Sequence, residues 1–223
     1  DAHHPEKHLN PDPWHKVIRS PTMIYLVIPS IVFGAAHSSI FSFITDFTAV
    51  QNLGSPSSFF ISYSVTIIFL RLATGKLLDR IDRRLAVTAS LAIISLGLFY
   101  ASISTTGKDL ILVGILTGTG HGYIFPSLST LTYDSSQARN RGTSMALYML
   151  GFDLSTMGMS PVFGRIAQNW NYAAMYRTAG VFLLLGMLIY ISGWRYHTPR
   201  AISRSARRVR PEDEFIKNTG LLR

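Results

Sequence analysis

Six apolar stretches run along this chain, separated by short polar turns: Pro21 to Ile44, Ser57 to Thr74, Leu85 to Ile103, Leu110 to Thr132, Thr143 to Ile166 and Ala173 to Trp194. A helix needs about 20 mostly apolar residues to cross a hydrocarbon core about 30 Å thick, because each residue rises about 1.5 Å. The pattern therefore predicts six spanning helices and an all-α membrane protein. Gly, Ser, Thr or Pro interrupt the first, fourth and fifth stretches. Small residues let helix backbones approach closely, so these interruptions suit helices packed inside a bundle.

Composition agrees. Of 223 residues 48% are apolar and 15% charged, against roughly 25% charged in soluble domains, and mean hydropathy is +0.25. A net charge of +9 would suit a nucleic-acid partner, but the basic residues gather between apolar runs and in the tail, without interleaved aromatics. That pattern lacks a nucleic-acid footprint and fits a lipid bilayer as partner. Cys is absent, so there is no disulfide framework and no Cys-based metal site. His3, His4, His8 and His15 lack the fixed spacing of a metal site, and none is expected. The start at Asp1, without Met or signal peptide, suggests a processed or truncated product.

Lys7, Lys16 and Arg19 precede the first stretch; Lys76, Arg80, Arg83 and Arg84 lie between the second and third; Arg139 and Arg141 lie between the fourth and fifth. The basic tail adds to the same side. The positive-inside rule then puts both termini in the cytoplasm. The expected division is a flexible cytoplasmic linker (1–20), a six-helix membrane unit (21–196) and a basic cytoplasmic tail (197–223).

An internal repeat refines this picture. Gly34, His37, Ile40 and Phe41 recur at the same offsets as Gly118, His121, Ile124 and Phe125. Three spans followed by three equivalent spans reverse orientation, because three is odd. The predicted architecture is a 3+3 inverted repeat, the device of secondary transporters.

The turn between the second and third stretches carries Gly75, Asp79, Arg80, Arg83 and Arg84, with Asp82 where a second glycine would complete a familiar pattern. Arg139-Asn140-Arg141-Gly142 leads into a helix with Gly151, Asp153, Gly158 and Gly164. Over residues 20–196 the chain resembles the C-terminal six-helix half of a major facilitator superfamily transporter, efflux-permease-like. The resemblance implies a bacterial inner-membrane protein that moves a small solute by alternating access. It also implies proton-coupled efflux, with the proton gradient as energy source and no cofactor. Gly75 to Arg84 would form a cytoplasmic latch against a second six-helix half, which is a separate chain, a missing N-terminal half or a second copy. At position 82 a turn conformation that Asp tolerates is expected.

Candidate cavity or coupling residues are His37, His121, Tyr123, Asp153 and Arg71. Asp153 lies mid-helix, where an ionisable group is costly and faces either a cavity, as a proton carrier, or a static partner. Arg71 is the arginine within the spans nearest to serving as that partner. The histidines titrate near neutrality and suit solute binding or proton relay, or else a structural interhelical bond. Ser144 beside Gly142 superficially suits a serine nucleophile, but no histidine lies within the last two stretches to act as base, so no enzyme is expected. A non-transporting membrane receptor or assembly subunit is the alternative function.

Overall fold

The computed structural model describes residues 11–78 and 82–194. Among the described residues eight α-helices follow one another: α1 (Trp14–Ile18), α2 (Pro21–Phe41), α3 (Ile44–Val50), α4 (Ser57–Leu78), α5 (Arg83–Ala101), α6 (Gly107–Ser135), α7 (Arg141–Asn169) and α8 (Tyr172–Trp194). No strand occurs among the described residues. The six long helices coincide with the six apolar stretches to within a few residues at each end.

Local chemistry sets the helix starts. The Ser20 hydroxyl accepts from the Met23 N–H at 3.2 Å, with Pro21 in the first turn, and opens α2. Asp109 accepts from the Thr105 and Thr106 N–H groups at 2.9 and 2.8 Å and opens α6. Asp82 accepts from the Arg84 N–H at 2.8 Å and opens α5. Its φ is −57°, so this position holds a helix cap, and no left-handed turn is needed there. An aspartate is a strong helix cap, which explains the departure from glycine. The left-handed turn falls elsewhere, at Asn52 (φ 52°) and Gly54 (φ 85°) between α3 and α4.

Not every long helix is equally apolar. Among the described residues four segments are long and apolar enough to cross a membrane: Pro21–Val50, Arg83–Ala101, Gly107–Ser135 and Tyr172–Gly193. Among the described residues α4 qualifies only as a shorter apolar helix, Ser57–Ala73. The helix α7 is long enough, but its Gly, Ser and Thr residues and Asp153 dilute its apolar character. Its polar hydroxyls face α2: Ser155 and Thr156 donate to the Ile31 and Gly34 carbonyls at 2.6 and 3.2 Å. A helix that packs against other helices tolerates small and polar residues that a lipid-facing one does not.

The packing order is crossed. The first long helix, α2, lies on α7 and α8, while α6 lies on α4 and α5, and α5 meets α8. Tyr148, Tyr176, Tyr190, Phe47, Phe59 and Phe163 fill the core. Ile61, Val65, Ile68, Phe69 and Leu72 leave an exposed apolar face on α4, and Met149, Leu150, Leu154 and Met157 do so on α7.

One end of the bundle gathers the basic groups. Arg83, at the start of α5, pairs with Asp134 at the end of α6. Asp12 pairs with Arg139 at 2.9 Å and exchanges two hydrogen bonds with Asn140, each 2.9 Å. The part of the leading segment that the structure describes is therefore docked on the α6–α7 turn. The Asn140 side-chain amide, which donates to it, with Lys16 and the Arg139 charge, holds the Asp12 carboxyl below its ordinary range.

Candidate functional site: a crossed pair of histidines

The centre of the bundle is built where the two repeated glycine–histidine segments meet. His121 is in the middle of α6 and His37 is in the last turns of α2, with ring centroids 5.5 Å apart. Each histidine is half-buried. Phe33 lies edge-on to both, at 6.3 Å from His37 and 4.9 Å from His121. Phe41 stacks on His37 at 4.1 Å.

Each histidine also meets one aromatic residue from the helix that crosses its own. Phe152 of α7 is 5.5 Å from His37, and Tyr63 of α4 is 5.6 Å from His121. The glycine one turn before each histidine explains the approach. A Cβ on Gly34 would strike the Phe152 carbonyl oxygen, and a Cβ on Gly118 would lie 2.9 Å from the Tyr63 carbonyl oxygen. Only glycine lets the backbones come this close. The correspondence breaks at one atom. The Tyr63 hydroxyl lies 2.5 Å from His121 Nδ1, whereas Phe152 has no hydroxyl to offer His37.

Neither Tyr63 nor Phe152 stands out in the sequence. The spacing from Tyr63 to Phe152 is a few residues longer than that from His37 to His121, so a fixed offset misses the match. Of the remaining candidates, Arg71 lies near enough for its charge to act on both Tyr63 and His121. Tyr123 is half-buried and lies on another face of α6, two residues beyond His121. Arg71 is exposed, about two turns further along α4 than Tyr63. Asp153 is exposed on α7 beside Leu150, Leu154 and Met157, next in sequence to Phe152. None of the ion pairs among the described residues involves Asp153 or Arg71.

The expected latch is only partly within view. Asp79 and Arg80 lie outside the described residues, and Gly75 falls in the last turns of α4. Of the two arginines that follow, Arg83 makes the pair with Asp134, and Arg84 is buried to 7% exposure. No group of three or more metal-ligating side chains occurs among the described residues.

The family model of the Major Facilitator Superfamily matches residues 57–222, well over half of the chain. The chain belongs to the Major Facilitator Superfamily. Its similarity to individual members is distant. It is 28% identical over 146 residues to a multidrug resistance protein of Schizosaccharomyces pombe, covering 65% of this chain and 27% of that protein. It is 26% identical over 114 residues to a 3-(3-hydroxy-phenyl)propionate transporter of Escherichia coli, covering 51% and 28%. With an uncharacterized MFS-type transporter of Pseudomonas aeruginosa it shares 25% identity over 182 residues, 81% of this chain and 44% of the relative. The chain thus spans less than half the length of the relatives it matches. A superfamily member with such apolar helices is an integral membrane protein.

Proposed function

We propose that this chain is one six-helix half of a secondary transporter, which moves a small solute by alternating access around the His37–His121 centre. The crossed packing carries this reading. Each repeat contributes a first helix that packs on the other repeat's second and third helices, as an inverted repeat of three helices requires. The histidines then fall where the two repeats meet, and sites of such transporters lie at that interface. In this reading the basic end faces the cytoplasm, by the positive-inside rule.

A proton gradient is the energy source and efflux the direction. The multidrug relative's name favours efflux, and an aromatic centre with two titratable imidazoles suits an apolar or aromatic solute exchanged for protons. Asp153 serves as a further proton-carrying group on the face that meets the second half, with Arg71 lining the route towards the basic end. The exposed apolar faces of α4 and α7 are where that second half docks. The Cys-free chain allows a clean test. Single cysteines at Ile61 and Leu154 in native membranes should crosslink to a second six-helix unit. Transport by a preparation shown to be a lone six-helix monomer would overturn the two-halves reading.

A further inference from the structure

We propose that Tyr63 is a positioning residue that fixes the tautomer of His121, leaving His37 as the imidazole free to exchange hydrogen bonds with the solute. The inference rests on the reading of the histidine pair as the transport centre, but its geometry stands by itself. Tyr63 is 8% exposed, and its hydroxyl has one hydrogen-bond partner among the described residues, His121 Nδ1 at 2.5 Å. A buried phenol hydroxyl left without an acceptor is costly. If His121 carried its proton on Nδ1, the phenol would accept that bond and its own O–H would be left without one. The favourable arrangement is Tyr63 O–H donating to an unprotonated Nδ1. The His121 proton then sits on Nε2, on the far side of the ring from Tyr63.

His37 has no such tether. It makes no hydrogen bond among the described residues; its neighbours Phe33, Phe41 and Phe152 offer ring contacts only. The corresponding aromatic residue is Phe152, which lacks the one atom that fixes a tautomer. Two imidazoles 5.5 Å apart therefore present different faces to a solute. His121 is a fixed donor, and His37 either donates or accepts by changing tautomer. A solute group that both accepts and donates a hydrogen bond, such as a phenol, a carboxylic acid or an amide, meets both requirements at once. A quaternary ammonium group meets neither.

Nitrogen-15 NMR of histidine-labelled protein in nanodiscs at neutral pH reads tautomers without any substrate. His121 signals are assigned by their loss in His121→Ala and those of His37 by their loss in His37→Ala. In the wild-type protein His121 should be overwhelmingly the Nε2–H form, while His37 populates both forms. A hydrogen bond of about 1 kcal/mol corresponds to roughly a fivefold ratio, so Tyr63→Phe should lower the Nε2–H to Nδ1–H ratio of His121 about fivefold and leave His37 unchanged. A His121 proton on Nδ1 in the wild type, or a ratio indifferent to Tyr63→Phe, overturns the inference. Should Tyr63→Phe fail to insert, the wild-type tautomer alone decides. Failure of the transport reading would instead appear as loss-free transport after both histidines are removed, with the tautomer result intact.

Discussion

The α2–α7 contact and the α4–α6 contact occupy matching places in the bundle and are held by different means. Along α2–α7, hydroxyls stitch the helices together: Ser30 donates to the Tyr148 carbonyl at 2.8 Å, Ser155 to that of Ile31 and Thr156 to that of Gly34. Along α4–α6 the hydroxyls of Ser62 and Thr66 bond within their own helix. There Gly114 and Gly118, one turn apart, bring α6 onto the backbone at Phe59 and Tyr63. Across that contact the Tyr63 hydroxyl bonds His121. Both sides close-pack on a glycine, and hydroxyl stitching is added along α2–α7. On the α4–α6 side a polar contact reaches the centre itself.

Breaking the shared element should cost most. Ala at Gly34 or at Gly118 forces a Cβ into a facing carbonyl, an overpacking expected to cost about 1–3 kcal/mol. Thermal unfolding in detergent should fall for both variants alike; a drop confined to one would break the correspondence. Smaller effects sharpen the difference. Ser30→Ala and Ser155→Ala each remove a bond between helices, worth about 0.6 kcal/mol in membrane proteins, whereas Ser62→Ala removes only bonds within α4. Equal losses at all three would contradict the stitching on the α2–α7 side. Smallest is the pH response at the basic end. Asp12 binds its proton less readily when docked, so its contribution is present above the ordinary carboxylate range and lost as pH falls through its lowered value. Hydrogen exchange of α1 should quicken on acidification through that region, and Asp12→Asn should remove the response. An unchanged acid response in that variant would assign it elsewhere.

Much of this arrangement is legible in the chain itself. The apolar stretches between polar turns mark the long helices, and the repeated glycine and histidine mark the two segments that meet. The partners of those histidines are not legible, because Tyr63 and Phe152 are not spaced in the chain as the two histidine segments are. Asp82 shows a second limit. A motif with glycine at that position suggests an unusual turn, while Asp meets the local need by capping α5 instead. The leading segment shows a third. Nothing in its prolines and histidines marks Asp12, which meets Asn140 128 residues away and docks the described residues around it.

The central claim is that the crossed histidines are where solute and proton movement are joined. Proteoliposomes holding the complete transporter, given ethidium and phenylpropionate as probes, would report solute-driven proton movement. His37→Ala with His121→Ala should lower that movement at least tenfold for any probe the wild type carries, with insertion retained. Wild-type proton movement in the double variant would contradict the claim.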